Sequence, residues 1–134
     1  MTEPTRPSAT VHRRIEFSDV DVSGRYHYGT VIPLLEAAEV ELLSELGLLD
    51  SIYTSMPRAR LEVDYEATLR FMDEVAVKIG VEALGRTSVT FGFTVERDDE
   101  VAVRGKLVTV HVDRDGTPTP WPDEARRRFS GENE

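Results

Sequence analysis

TVIPLLEAAEVELLSELG, residues 30–47, is the stretch that decides the fold. Leu34, Leu35, Ala38, Leu42 and Leu46 recur at three- and four-residue spacing, which places them in one stripe on an α-helix. Thr30 can cap the helix, Pro33 is tolerated in a first turn, and Gly47 ends it, giving about four turns. No Lys or Arg occurs between Arg25 and Arg58, whereas Glu36, Glu39, Glu41, Glu45 and Asp50 all fall in that gap. The acidic residues read as a solvated helix face.

The segments on either side of this helix read as strands. Before it, VHRRIEFS (residues 11–18) alternates Val11, Ile15 and Phe17 with charged residues and runs into the turn-rich SDVDVSG. After it come RARLEVDYE (58–66), then DEVAVKIGVEAL (73–84), with Val75, Val77, Ile79 and Val81 on one face. TSVTFGFTVER (87–97) puts Val89, Phe91, Phe93 and Val95 on one side, and DDE at 98–100 turns the chain into VAVRGKLVTVHVD. The alternation of that last strand changes phase near Gly105, as a β-bulge would cause. A strand, a helix and then consecutive strands joined by short turns predict an α+β domain, with one antiparallel sheet of about five strands packed on the helix. The uncovered edges and outer face predict self-association through two-fold symmetry, as a homodimer or a tetramer of dimers.

Length and composition set the outer bounds. At 134 residues one core is enough, and 40% hydrophobic with 31% charged residues is ordinary for a globular chain. Residues 1–10 read as a disordered leader, 11–129 as the domain and 130–134 as a frayed tail. No apolar run reaches the roughly 20 residues of a membrane span, and the polar, proline-containing N-terminus lacks a signal-like apolar stretch. With no cysteine, the expectation is a cytoplasmic protein without disulfides. A formal charge of −9, from 16 basic and 25 acidic residues, disfavours nucleic acid as a partner. A few arginines can still hold one phosphate group, and Arg58, Arg60, Arg86, Arg104 and Lys106 are the candidates.

Chemistry concentrates in FSDVDVSGRYHYGTVIPLLEAAE, residues 17–39. Asp19, Asp21, Ser23 and Gly24 match the first positions of a calcium loop, but the twelfth position is Thr30 where a bidentate glutamate is needed, so no metal site is expected. A second reading uses the helix mouth. Its first backbone N–H groups have no partner inside the helix and can polarise a carbonyl, while a nearby carboxylate attacks or activates water. Asp21 is then the base or nucleophile, Gly24 and Gly29 allow close backbone approach, and His27 and Tyr28 bracket the carbonyl. Alternatively, Asp21 only makes a turn by bonding its own backbone two residues on, which is the preferred reading for Asp19. A third reading pairs His27 with Glu36 as acid and base of a hydratase or dehydratase.

The same residues resemble the hotdog-fold acyl-CoA thioesterases of the 4-hydroxybenzoyl-CoA thioesterase type. Asp19-Val20-Asp21-Val22-Ser23-Gly24 is similar to that family's D-x-D-x-x-G segment, followed by the helix with Leu35-Glu36-Ala37-Ala38. Asp64-Tyr65 and Asp73 resemble its D-Y…D strand pair, Leu84-Gly85-Arg86-Thr87-Ser88 its L-G-x-S-S turn, and Pro118–Pro122 its proline-rich close. The chain departs from the pattern at Thr68, where proline is usual, and at Met72, where glycine is usual.

The resemblance implies a hotdog fold, a dimer with active sites at the subunit interface, and hydrolysis of an acyl-CoA or acyl-carrier-protein thioester without a cofactor. It maps the catalytic carboxylate onto Asp21 and the carbonyl-polarising backbone N–H onto Tyr28. Glu36 is the alternative carboxylate, because a related thioesterase group uses a glutamate on the helix. His27, Gly29, Arg86 and Ser88 are the expected substrate contacts, although Ser88 also suits a turn. The competing functions are the His27–Glu36 hydratase and a protein that binds acyl-CoA without turning it over.

Overall fold

The computed structural model describes residues 6–132. Its elements are β1 (Ser8–Arg14), two 3-10 turns (Phe17–Asp19 and Tyr28–Thr30), α1 (Val31–Glu45), the short α2 (Leu49–Ile52) with a 3-10 turn at Tyr53–Ser55, then β2 (Arg58–Tyr65), β3 (Glu74–Leu84), β4 (Ser88–Arg97), β5 (Glu100–Val110) and α3 (Asp123–Phe129). The strands form one antiparallel sheet in the order β1-β3-β4-β5-β2.

The curved sheet wraps α1, as expected of the hotdog arrangement. Val31, Leu34, Leu35, Ala38, Leu42 and Leu43 of the helix are buried, and so are Val75, Val77, Ile79 and Val81 of β3 and Val89, Phe91, Phe93 and Val95 of β4. Each of the Val, Leu, Ile and Phe side chains among these contributes about 1.5–3 kcal/mol by leaving water. Gly47, at φ +72°, ends the helix, and the Leu48 N–H reaches back to the Leu43 carbonyl at 2.9 Å.

Several expectations need correction. Strand β1 starts at Ser8 and stops at Arg14, because Ala9 and Val11 pair with Ile79 and Val77 while Ile15 leaves the ladder to bond with Asp73. The proposed leader therefore contributes Ser8–Thr10 to the sheet, and residues 1–5 and 133–134 lie outside the described residues. The phase change in β5 sits at Ala102, where Val95 pairs with Val103 and Glu96 with Val101, so that Ala102 and Val103 are both buried. Gly105 has another reason to be glycine: a Cβ there would strike the Glu62 carbonyl and, at 2.6 Å, the Phe93 ring. Thr30 does not cap the helix through its side chain. It is buried, and its hydroxyl donates to the Asp19 carbonyl at 2.9 Å.

Glu39 is not on a solvated face. It is 1% exposed and forms an ion pair with Arg58, which joins the middle of α1 to the start of β2. Burial pushes the Glu39 carboxyl above its usual range, and Arg58 opposes that shift. The helix α3, which the proline-rich close did not announce, packs Ala125 and Phe129 into the core beside Trp121. Among the described residues, no helix is long and apolar enough to cross a membrane.

Candidate active site

The chain between β1 and α1 is held by its own backbone. The Asp19 carboxylate accepts the Glu16 N–H at 2.7 Å and closes the first 3-10 turn, making a turn through a residue three before it rather than two after. Val20 and Tyr26 then bridge, with Asp21 N–H donating to the Arg25 carbonyl at 3.0 Å and Gly24 N–H donating to the Asp21 carbonyl at 3.0 Å. Gly24 has φ +79°, a conformation that favours glycine. The loop is stitched to residues 69–73: Tyr26 N–H donates to the Leu69 carbonyl at 2.9 Å, and Met72 N–H to the Ile15 carbonyl at 2.9 Å.

Asp21 sits exposed on this loop. Its Oδ1 accepts the Ser23 hydroxyl at 2.5 Å and the Ser23 N–H at 2.8 Å, while its Oδ2 has no hydrogen-bond partner among the described residues. Asp21 thus makes the turn and keeps one oxygen free for chemistry. The Ser23 hydroxyl, then the Ser23 N–H, hold its carboxyl below the usual range, with a smaller favourable contribution from nearby His27. It is a carboxylate at neutral pH.

The helix mouth follows directly. His27 N–H donates to the Asp19 carbonyl at 3.1 Å, and Thr30 N–H donates to the His27 carbonyl at 3.0 Å. The amides of Tyr28 and Gly29 open this turn and have no acceptor behind them in the helix. A Cβ on Gly29 would lie 3.4 Å from the His27 ring. From β2, the Tyr65 hydroxyl donates to the Tyr28 carbonyl at 2.6 Å. The sequence offered Tyr65 only as part of a motif, since its partner is a main-chain atom 37 residues away.

Around these polar groups the surface is apolar. Phe17, Val20, Val22, Gly24 and Phe71 line a shallow cavity of about 450 Å³ together with Asp21. Phe17 and Phe71 meet edge to face at 5.9 Å. Phe17 is 78% exposed and Tyr28 79%. A second hollow of about 290 Å³ lies between Arg25, Tyr26, Tyr28, Tyr65, Glu66 and Thr68.

The other expected residues are placed elsewhere. Glu36 is on α1 with Arg58 at 3.8 Å, beside an apolar hollow that includes Ile32, Leu35, Leu61 and Leu107. His27 acts on the Asp21 carboxylate through space, and among the described residues no hydrogen bond or ion pair joins it to Glu36. Ser88 starts β4 and Arg86 precedes it, about 30 Å by strand rise from Arg97 at the other end, which bonds Asp73 beside the loop. There their backbone carbonyls accept the Trp121 N–H and indole N–H, at 3.2 and 3.0 Å. Of the basic residues considered for phosphate, Arg58, Arg60, Arg104 and Lys106 are engaged with Glu39, Glu62, Glu66 and Glu82. Among the described residues, no cluster of three or more His, Asp or Glu is placed to hold a metal.

Residues 15–129 match the family model of the thioesterase-like superfamily. No curated protein matches the chain significantly. Among solved structures, a predicted thioesterase from Bacillus stearothermophilus is 29% identical, covers 91% of this chain and 93% of its own, and superposes with a TM-score of 0.83. A thioesterase from Thermus thermophilus, complexed with coenzyme A and Zn, is 28% identical over 90% of this chain and 91% of its own, with a TM-score of 0.82. A 1,4-dihydroxy-2-naphthoyl-CoA thioesterase from Synechocystis, 15% identical over 91% of this chain and 95% of its own with a TM-score of 0.83, shares the fold. The family model spans the loop, the helix mouth and strands β2 to β5, and the chain belongs to the thioesterase-like superfamily as a hotdog-fold hydrolase of acyl thioesters.

Proposed function

We propose that Asp21 is the catalytic carboxylate for hydrolysis of an acyl-CoA, with the thioester carbonyl oxygen lying on the Tyr28 and Gly29 amides. The observation that carries this is the free, ionised Oδ2 of Asp21 on a loop leading straight into those open amides, within an apolar surface suited to an acyl group. As general base, Asp21 takes a proton from water while the water oxygen bonds to the carbonyl carbon. The negative charge that develops on the carbonyl oxygen is met by the amides; collapse then breaks the C–S bond, and the thiolate leaves and is protonated. As nucleophile, Asp21 instead bonds to the carbonyl carbon, the C–S bond breaks and the thiolate leaves to be protonated, and water opens the resulting mixed anhydride to the free acid and the Asp21 carboxylate. His27, beside Gly29, orients the substrate.

The coenzyme A in the Thermus relative supports a CoA ester over a carrier-protein ester. The exposed edge of β2 supports dimerisation, since only Val63 in that strand is even partly buried. Antiparallel pairing of two β2 edges would set the Arg58 end of one copy beside the Tyr65 end of the other. Glu36 and its apolar hollow would then complete the acyl site opposite Asp21. Arg86 and Ser88 are turn residues in this reading.

Thiol release from aromatic and aliphatic acyl-CoA esters by the native protein and by Asp21→Asn tests the assignment. A loss of about a hundredfold or more in kcat, with the melting temperature unchanged, is the expected result. An unimpaired Asp21→Asn, with Glu36→Gln inactive, would transfer the role to the helix carboxylate.

A further inference from the structure

We infer that Tyr65 is a positioning residue that aims the Gly29 N–H at the substrate carbonyl, making Gly29 a second oxyanion donor beside Tyr28. This rests on the reading of the helix mouth as the carbonyl-binding site. The peptide unit between Tyr28 and Gly29 is planar, and its C=O and N–H point in opposite directions. Whatever holds the Tyr28 carbonyl therefore fixes the direction of the Gly29 amide. The Tyr65 hydroxyl donates to that carbonyl at 2.6 Å, from a strand on the other side of the loop. The neighbouring peptide unit is fixed independently, because the His27 carbonyl accepts the Thr30 N–H at 3.0 Å and so directs the Tyr28 amide. Two adjacent amides at a helix start, each with its own anchor, make a two-donor site of the kind that stabilises a tetrahedral oxyanion.

The phenol is itself supported. The Tyr26 ring lies 6.2 Å from the Tyr65 ring at 55°, and Tyr26 is tied to the loop's base through its N–H on the Leu69 carbonyl at 2.9 Å. The Tyr26 hydroxyl is buried with no hydrogen-bond partner among the described residues, so it does not compete for the Tyr28 carbonyl. Burial raises the Tyr65 phenol above its ordinary range, and it remains a proton donor throughout the neutral and mildly alkaline region. A Cβ at Gly29 would come into contact with the His27 ring at 3.4 Å.

Tyr65→Phe removes the hydroxyl and keeps the ring. Deleting an oxyanion donor costs about a hundredfold or more, and a donor that is present but misaimed retains part of that. The expected result is a fall in kcat of about tenfold with KM within about twofold of native, and a displaced ¹⁵N resonance of the Gly29 amide in the unliganded protein. A merely structural tyrosine would instead lower the melting temperature and leave kcat per folded molecule unchanged, which would overturn the inference. If Asp21→Asn is crippled while Tyr65→Phe keeps native kcat, the inference falls and the Asp21 assignment stands. If no thioester is cleaved by the native protein, the assignment of the site falls. The Gly29 resonance then decides the clamp by itself, and an unshifted signal in Tyr65→Phe refutes it.

Discussion

The two ends of β4 are built to opposite specifications. At the Ser88 end, α3 and the segment before it close the sheet. Trp121 lies between His111, stacked at 5.1 Å, and Phe129, edge-on at 5.2 Å, and its indole N–H donates to the Ser88 carbonyl. Arg126 and Arg128 donate to the carbonyls of Gly85 and Leu46 at 2.9 and 2.6 Å, tying α3 to the sheet turn and to the end of α1. At the Arg97 end there are also clamps, with Arg97 bound to Asp73 at 2.8 Å. Yet Phe17, Val22, Tyr28, Phe71 and Met72 all remain exposed there. Apolar side chains gathered on a rigidly held surface are what a binding site requires, whereas a closed end needs only stability. Buried side chains that close the fold and exposed apolar side chains that the proposed site would use are thus separated along one strand.

Breaking the closed end should cost the most stability. Trp121→Ala is expected to destabilise the fold by about 3–5 kcal/mol, while Phe71→Ala at the open end changes stability by less than about 1 kcal/mol and raises KM. Chemical denaturation and steady-state kinetics on the same preparations test the pair. If Phe71→Ala unfolded the protein as readily as Trp121→Ala, the open end would be part of the core and the contrast would fail.

A smaller effect is expected where the contrast runs through one helix. Glu39 and Glu36 both approach Arg58, but only Glu39 is buried. Removing one member of a buried pair strands the other, and because Arg58 is partly exposed we expect about 2–3 kcal/mol from Glu39→Ala, against no more than about 0.5 kcal/mol from Glu36→Ala. Equal costs for the two would return Glu39 to the solvated face that the acidic run first suggested.

Much of this division was legible in the chain. The stripe of α1 and the alternations of β3 and β4 depend on periodicity, which local sequence carries, and Asp21, Gly24 and Tyr28 fall within one continuous segment. Other features depend on partners distant in sequence. Glu39 is indistinguishable from its exposed neighbours until Arg58, 19 residues on, is folded against it. Tyr65 finds its partner in a main-chain carbonyl, and carbonyls carry no sequence signal. The short α3 lacks the length for a clear stripe, and its anchors are arginines donating to backbone.

The open end also has a pH signature. Because Ser23 holds the Asp21 carboxyl below its ordinary value of 3.8, the acid limb of kcat/KM is expected below that value. In the proposed mechanism the reactive form is the Asp21 carboxylate, so activity is expected to be retained above the folded pKa and lost as pH falls through it. Ser23→Ala removes the larger of the two Ser23 hydrogen bonds and should move the limb upward, toward the ordinary carboxylate range. A limb that stays in place in Ser23→Ala would mean that another group limits the reaction in acid.

The smallest expected effect is a gain. Met72 stands where the family pattern has glycine, and its φ of +80° is a conformation that costs a residue with a Cβ about 1–2 kcal/mol. Met72→Gly relieves this cost but gives the unfolded chain more freedom, worth about 0.5–1 kcal/mol, and loses the packing of a side chain that is 52% exposed. The Met72 N–H bond to the Ile15 carbonyl survives the change. The balance is a stabilisation of at most about 1 kcal/mol, read as a rise of a few degrees in melting temperature. Kinetics then give the result its meaning. If Met72→Gly is more stable and raises KM, the strain is tolerated because the methionine extends the apolar surface beside Phe71. If it is more stable and kinetically silent, the acyl group does not reach this far and the binding surface ends at Phe71. If it is less stable, the methionine packs as core, and the boundary between the two specifications lies nearer to Asp21 than its exposure indicates.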